Sequence, residues 1–158
     1  MKKHWSIAIH LFFLAIISGQ YFFRDFVFIN ANSQLKYLKG VKENEYAELY
    51  PNYTHSKMAD FFGDWPMETI VSFKWYMTIA FTLSFGLLTF TGLKLTKNRK
   101  AANYTISIYI LCFIIAYLIS LFAYPVARQI VGFLHSPIPY LLLLIAGFIE
   151  IRIRNNHG

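Results

Sequence analysis

The stretch "YTISIYILCFIIAYLISLFAY", residues 104–124, decides the fold class of this chain. It is 21 residues long and contains no aspartate, glutamate, lysine or arginine. At about 1.5 Å of rise per residue, a helix of about 20 mostly apolar residues crosses the hydrocarbon layer of a membrane. Charged residues make up only 15% of the chain, whereas a soluble domain has about 25% and covers its core with them. The stretch therefore predicts a membrane-spanning helix rather than the buried helix of a soluble protein.

Three further apolar blocks have the same character, at residues 5–23, 75–93 and 133–151. Together the four blocks predict an all-α membrane protein whose 158 residues form a single domain of four transmembrane helices. The first block follows Lys2 and Lys3, as the apolar part of a signal peptide would. It is long for such a part, and no A-x-A-like cleavage site follows it. We therefore interpret it as a retained helix.

The distribution of charge predicts the orientation, because an even number of spans places both termini on one side. On that side the residues outside the spans include no acid and eight basic residues: Lys2, Lys3, Lys94, Lys97, Arg99, Lys100, Arg152 and Arg154. Cytoplasmic loops carry such an excess of lysine and arginine. Both termini are therefore predicted to be cytoplasmic, with a long outer loop at 30–67. The net charge of +7 reflects these topology signals, and no pattern typical of nucleic-acid binding accompanies it.

The long outer loop carries two local signals. Leu35, Leu38 and Val41 are spaced three apart, which predicts a short helix near the start of the loop. The aromatic stretch "MADFFGDWPMETIVSFKWY", residues 58–76, is expected to lie on the outer leaflet with its aromatic side chains in the membrane interface.

The stretch before the fourth span, "AYPVARQIVGFLHSPIPYLLLL" at residues 123–144, contains three prolines. Proline lacks a backbone donor and disfavours helix at the residue before it. This predicts a proline-broken hinge, with a short interfacial helix over 126–135 and a fourth span that begins near Pro137. The segment from Pro139 to Ile151 is too short to cross about 30 Å of hydrocarbon. Either the turns before the prolines lie at membrane depth or the bilayer thins locally.

Five polar residues near the outer boundary are the candidate contacts for a partner or ligand: Arg24, Asp25, Lys74, Arg128 and His135. One interpretation is an electropositive outer pocket that holds a carboxylate, a phosphate head group or an acidic group of a partner. The other is a set of separate anchors whose side chains reach the head groups, together with an Arg24–Asp25 or Lys74–Glu68 interaction. Both interpretations stay open at this point.

The spans themselves carry few reactive groups. No nucleophile–base pair, HExxH motif, CxxC motif or phosphate loop is present, and the only cysteine, Cys112, lies within a span. No catalytic, cofactor or metal site is therefore predicted. His10 is expected to make an interhelical hydrogen bond to a serine or threonine. Three pairs of small residues spaced four apart can seat a neighbouring helix: Ala15 and Gly19, Thr82 and Gly86, and Ala116 and Ser120.

In its layout the chain resembles the small exosortase-associated membrane proteins of Bacteroidetes, of the exosortase F system-associated type. The segments that carry the resemblance are "YFFRDFVF" (21–28), "FKWYMTIAFTLSFGLLTF" (73–90), "ISIYILCFIIAYLI" (106–119) and "ARQIVGFLHSPIPYLLLLIAGF" (127–148). The resemblance implies a multi-pass protein of the bacterial inner membrane. It also implies a companion of a membrane cysteine transpeptidase that processes the C-terminal sorting signals of exported proteins.

Three functions follow as hypotheses. The first is a non-catalytic accessory subunit whose partners are the lipid bilayer and a larger, exosortase-like membrane protein. The alternative is a small membrane enzyme or lipid-handling protein that acts at the outer leaflet through Arg128, His135, Arg24 and Asp25. A transporter or channel subunit is the third, and it fits least well because the spans contain few charges and no visible internal duplication.

Overall fold

The computed structural model describes the backbone of residues 2–43, 56–95 and 99–156, and the side chains of residues 6–40, 56–95 and 99–149. This part of the chain is all-helical, with the elements α1 (Lys2–Glu43), α2 (Ala59–Phe62), α3 (Met67–Leu95), α4 (Arg99–Ser120), α5 (Tyr124–Leu134) and α6 (Ile138–Asn156). Three helical segments are long and apolar enough to cross a membrane alone: Ser6–Gly40, Met67–Leu95 and Arg99–Ser120. The pair α5–α6 meets the same criterion as one segment bent by 57°. The prediction of an all-α integral membrane protein is therefore confirmed, with three or four candidate spans.

Helix α1 does not end where its first apolar block ends. The first span was placed at 5–23, but α1 runs without interruption to Glu43. No proline occurs between residues 2 and 43, and the polar residues that follow the apolar block are compatible with helix. The separate short helix expected near Leu35 is wrong, because this segment is the last part of α1. The first residues of the predicted outer loop are accordingly helical, while residues 44–55 lie outside the described part of the chain.

The chain divides into two compact units, one formed by residues 22–80 and the other by residues 1–21 and 81–158. We call them the 22–80 unit and the 81–158 unit. The 22–80 unit has a small core of buried residues, Ala31, Phe62 and Ile70, against which Leu35, Leu38, Met58, Trp65 and Phe73 pack.

The aromatic stretch at 58–76 folds back on itself at Gly63. This glycine has φ of 47°, a left-handed conformation that side chains disfavour, and its N–H donates to the carbonyl of Ala59. The turn places the fully buried ring of Phe62 within 5.8 Å of Trp65 and 5.7 Å of Phe73, centroid to centroid. Phe61 is exposed. Phe62 therefore belongs to a protein core, and the location of the stretch in the membrane interface stays a prediction.

The proline-broken hinge is present. The helix predicted over 126–135 is α5, and the following helix begins at Ile138, next to the predicted start at Pro137. Pro125 lies in the first turn of α5, where a missing backbone N–H costs nothing because that group has no partner within a helix. The turn that follows α5 is closed by hydrogen bonds from the N–H of His135 to Val131 O (3.0 Å) and from the N–H of Ser136 to Phe133 O (3.1 Å).

Helix α4 packs through one narrow face. Its buried residues Thr105, Tyr109 and Ala116 recur at spacings of four and seven, which places them on one stripe of a helix. The stripe is seated closely on α3, because a Cβ atom at Gly86 would lie 3.3 Å from the ring of Tyr109. Two of the predicted small-residue contacts, at Thr82–Gly86 and at Ala116, thus involve buried or close-packed positions. At Gly19 a Cβ would meet nothing within 4 Å, so that small residue seats no helix among those that the structure describes.

Candidate functional site

Arg24 and Asp25 form a local ion pair within the 22–80 unit. The Arg24 guanidinium donates from Nη1 to Asp25 Oδ1 at 2.5 Å, and it lies over the ring of Phe28 at 5.0 Å from the ring centroid. The side chains are 16% and 33% exposed, so the pair is only partly open to its surroundings. This geometry favours the interpretation of these two residues as an interacting pair rather than as a ligand contact.

Lys74 also makes a contact within its own unit. Its amine donates from Nζ to Asn32 Oδ1 at 2.6 Å, which ties α3 to the second half of α1. Nearby on α1, Asn30 accepts a hydrogen bond from the backbone N–H of Lys57 and donates from Nδ2 to Phe26 O at 2.7 Å. These amide side chains therefore join the polar part of α1 to the elements that follow it.

Arg128 and His135 belong to the 81–158 unit, and the structure gives them opposite environments. Arg128 is exposed on α5 and makes no hydrogen bond or ion pair with any residue that the structure describes. His135 at the end of α5 is completely buried. The five candidate residues therefore do not form one cluster within either unit, and His135 offers no surface to a ligand in this conformation.

His135 instead forms the centre of a buried polar contact at the break between α5 and α6. Its Nε2 lies 2.7 Å from the hydroxyl of Thr82 on α3. The imidazole is stacked on Phe85, with 5.5 Å between the ring centroids and an angle of 11°, and it also meets Phe81 at 6.2 Å. A hydrogen-bonded imidazole between two aromatic rings is well suited to hold the end of α5 against α3.

The backbone at the break is satisfied by neighbouring side chains. The Tyr109 hydroxyl donates to the carbonyl of Leu134 at 3.2 Å, and the hydroxyl of Thr89 lies 3.4 Å from that of Tyr109. Ser136 donates from Oγ to Phe133 O at 2.7 Å and accepts from the N–H of Ile138 at 3.3 Å. The last carbonyl groups of a helix have no donor within the helix, and an unpaired one costs several kcal/mol in hydrocarbon. Side chains of α4 and of the break supply the missing donors.

The break lies level with the centres of two long helices. Tyr109 is in the middle of α4, which runs from Arg99 to Ser120, and Thr82 is in the middle of α3, which runs from Met67 to Leu95. Helix α5 begins just beyond the end of α4, and at Leu134 it reaches the level of Tyr109. We call the group formed by Thr82, Thr89, Tyr109, the Leu134 carbonyl and His135 the hinge site.

A second buried polar pair joins α1 to α6. His10 Nδ1 lies 2.7 Å from the hydroxyl of Tyr140, 130 residues away in the sequence. The close approach depends on Gly92 of α3, where a Cβ atom would lie 2.9 Å from Phe13 and 3.0 Å from Tyr140. The expectation of a serine or threonine partner for His10 is wrong, because the partner is a tyrosine hydroxyl. Sequence reasoning missed Tyr140, whose position at the start of a leucine run carries no polar signal.

The chemistry open to these groups is limited. The Thr82 hydroxyl and the His135 imidazole are a donor–acceptor pair, but His135 has no exposed surface and Thr82 is buried. No substrate atom reaches them without a rearrangement of the aromatic rings around them. Within the described ranges, no group of three or more histidine, cysteine, aspartate or glutamate side chains is placed to hold a metal ion. The arrangement is suited to helix packing.

Comparison with protein-family models, with curated proteins and with solved structures finds no match for this chain.

Proposed function

We propose that the chain is a non-catalytic accessory subunit of the bacterial inner membrane that assists an exosortase-type protein-sorting transpeptidase. The observation that carries the proposal is the distribution of polar and apolar groups between the interior and the surface of the protein. The buried polar groups of the hinge site and of His10–Tyr140 make internal contacts. The outward surfaces are largely apolar, and only 11% of the most apolar part of α1 is buried inside the protein. Such surfaces favour contact with lipid and with the helices of a partner over chemistry.

The proposal includes four spans with both termini in the cytoplasm. Helix α5 has 11 residues and the apolar part of α6, Ile138–Ile149, has 12, which corresponds to lengths of about 16 and 18 Å. Joined at a bend of 57°, the two extend about 30 Å from end to end, which matches the thickness of the hydrocarbon layer. A re-entrant loop returns to the side from which it entered, and a 57° bend is too small for that. The pair therefore supports one broken span.

In this topology the hinge site lies near the centre of the bilayer, because it is level with the middles of α3 and α4. Irregular backbone is tolerated at that depth only where it is buried in protein or lines a cavity. Helix α5 then crosses the outer half of the membrane along α4 and does not lie flat at the interface, as the sequence alone had suggested.

Thiol labelling tests the topology. In a Cys112→Ala background, single cysteines replace Asn52 in the predicted outer loop and Lys100 in the predicted inner loop. An impermeant maleimide added to intact cells with a permeabilised outer membrane is expected to label position 52 and not position 100. Labelling of position 100 alone would invert the topology.

Co-purification tests the proposed role. The tagged chain, extracted in mild detergent, is expected to carry an exosortase with it, and its deletion is expected to leave the sorting signals of exported proteins unprocessed. Ile114 on the exposed face of α4 provides a surface variant, Ile114→Trp, with Ile114→Leu as its matched control. Recovery of the chain alone, together with unchanged sorting in the deletion strain, would refute the role.

The exposed Arg128 favours a second candidate, a small membrane enzyme or lipid-handling protein at the outer leaflet. The variant Arg128→Ala distinguishes the two. Loss of function with intact partner binding supports the second candidate, and loss of partner binding supports the first.

A further inference from the structure

We propose that Arg128 binds the phosphate group of an outer-leaflet phospholipid, whose acyl chains lie against the α4–α5 corner, which we define as residues 121–128. The inference rests on the four-span topology proposed above. It adds a ligand for Arg128, whose charge has no counter-ion in the described part of the protein.

The α4–α5 corner is a continuous exposed apolar surface. Phe122 is 79% exposed, and Leu121, Tyr124 and Val126 are exposed as well. The corner is formed because α4 ends at Ser120 in two tight turns, with Ala123 N–H bonded to Ile119 O at 2.7 Å, before α5 begins at Tyr124. Four large, exposed apolar or aromatic side chains within six residues are suited to contact with acyl chains, and a tyrosine among them is typical of the membrane interface.

The length of α4 fixes the depth of the corner. The helix starts with the basic residues Arg99 and Lys100 and has 22 residues, which corresponds to about 33 Å. If its basic end lies at the cytoplasmic head groups, its other end lies at the outer boundary of a hydrocarbon layer about 30 Å thick. Arg128 follows Tyr124 by one helical turn on the descending α5, so its Cα is at most about 6 Å deeper than that boundary.

The charge of Arg128 favours contact with an anion at this depth. A charge on the lipid-facing side of a span is costly unless the side chain reaches the head groups. The other arginine near the outer boundary, Arg24, is paired with Asp25. Arg128 has no such partner in the described chain, and its exposed neighbour Gln129 is neutral.

A lipid phosphate fits this position better than a carboxylate of a partner protein. The planar fork of arginine matches two phosphate oxygens, and phosphates line the boundary that its long side chain reaches. The surrounding exposed residues are apolar, which suits acyl chains below the head group. A partner carboxylate is the competing occupant, and the experiment below separates the two.

Native mass spectrometry of the purified full chain tests the proposal, with dioleoyl phosphatidylglycerol as the probe and dioleoylglycerol, which lacks the phosphate, as the comparison lipid. Arg128→Gln is expected to weaken phosphatidylglycerol binding at least about tenfold, which corresponds to about 1.4 kcal/mol, because the charge-assisted hydrogen bonds to the phosphate are lost. Arg128→Lys is expected to retain part of the binding. The matched control Arg99→Gln removes an exposed arginine at the other end of α4 and is expected to leave the retained lipid unchanged. Added inorganic phosphate at millimolar concentration is expected not to displace the lipid, because the acyl contacts contribute to binding.

Several outcomes overturn the proposal. Equal lipid binding by the Arg128→Gln variant and the unchanged protein would overturn it. An equal loss of lipid binding in the Arg99→Gln control would also overturn it, because such a loss indicates unspecific charge attraction. Displacement by inorganic phosphate would show an anion site without a lipid. Normal lipid binding combined with lost co-purification of the partner would assign Arg128 to a partner carboxylate.

A depth measurement keeps the inference separate from the topology on which it rests. Phe122→Trp is introduced after the three natural tryptophans are replaced by phenylalanine, and its fluorescence is quenched by lipids brominated at different positions of the acyl chain. Strongest quenching near the head-group end supports the depth proposed for the corner. Quenching near the chain ends, or none, contradicts the topology whatever the lipid-binding result.

Discussion

Three glycines of the 81–158 unit, which also includes residues 1–21, face different surroundings and give a graded test of the helix packing. A Cβ atom at Gly92 would lie 2.9 Å from Phe13 and 3.0 Å from Tyr140, one at Gly86 would lie 3.3 Å from Tyr109, and one at Gly19 would meet nothing within 4 Å. Separations under 3.0 Å are essentially never observed for real Cβ atoms, so Phe13 or Tyr140 has to move in the Gly92→Ala variant.

The magnitude follows from two opposing effects. Replacing a helical glycine by alanine stabilises a helix by about 1 kcal/mol, and this gain is available at all three positions. Overpacking a well-filled interior costs about 1–3 kcal/mol, and this cost applies fully at Gly92, partly at Gly86 and not at Gly19. We therefore expect the free energies of unfolding to rank Gly19→Ala above Gly86→Ala above Gly92→Ala, with about 1–3 kcal/mol between the first and the last.

Unfolding by increasing sodium dodecyl sulfate in mixed micelles, followed by circular dichroism, measures this ranking in the detergent-solubilised protein. Gly19→Ala is the matched control, because it is the same substitution in a helix that faces open space. Equal stability of the Gly92→Ala and Gly19→Ala variants would refute the close approach of α1, α3 and α6 at Gly92.

Three further predictions concern single contacts. Tyr109→Phe removes the donor to the Leu134 carbonyl and is expected to lower the free energy of unfolding by about 0.6–1.7 kcal/mol. The control Tyr104→Phe, at an exposed position of α4, is expected to have no effect. Equal effects of the two substitutions would argue against the hinge site. A double-mutant cycle of His10→Leu and Tyr140→Phe is expected to give a coupling energy of about 0.6 kcal/mol or more, and strictly additive effects on unfolding would contradict their hydrogen bond. Gly63→Ala is expected to destabilise the protein by about 1–2 kcal/mol, because φ of 47° is unfavourable for an L side chain. The variant should therefore be cleaved faster by a protease near position 63. An unchanged rate of cleavage there would count against the turn.

The fold class and the hinge could be predicted from the sequence because both depend on local chemistry. The absence of charge across residues 104–124 requires an apolar environment whatever the rest of the chain does. Proline acts on the backbone next to it, so the start of α5 follows from the position of Pro125 and the break between α5 and α6 follows from that of Pro137. The length criterion predicted either turns at membrane depth or a locally thinned bilayer, because too few residues follow Pro139 to span the hydrocarbon; this stays a prediction.

The end of α1 could not be predicted by the same route. Hydropathy marks where an apolar environment is needed, and it says little about where a helix stops. The segment between residues 24 and 43 is polar enough to leave the hydrocarbon, but it contains no proline, and its contacts to Lys74 and Phe62 keep it helical. Those contacts join residues more than 30 positions apart, which a local pattern does not reveal.

The hinge site and the His10–Tyr140 pair escaped prediction for a related reason. Thr82 and His135 are 53 residues apart and His10 and Tyr140 are 130 apart, so the partner of each histidine is chosen by the packing of helices. The sequence identified His10 and His135 as polar groups within or next to apolar blocks. The sequence did not predict that His135 is buried, because its position between two apolar blocks is typical of a residue at the membrane boundary.

The break at Leu134 also has a consequence for the way the chain enters the membrane during synthesis. Helix α5 has 11 residues, about half of what an insertion machinery accepts as a span, and the carbonyl of its last residue accepts a hydrogen bond from Tyr109 of the preceding helix. In the proposed four-span topology, the segment from residue 124 onward therefore enters the lipid as one piece, with α4 already in place to receive it. A nascent chain that stops after residue 134 would carry an unfinished half-helix and become a substrate for membrane quality-control proteases.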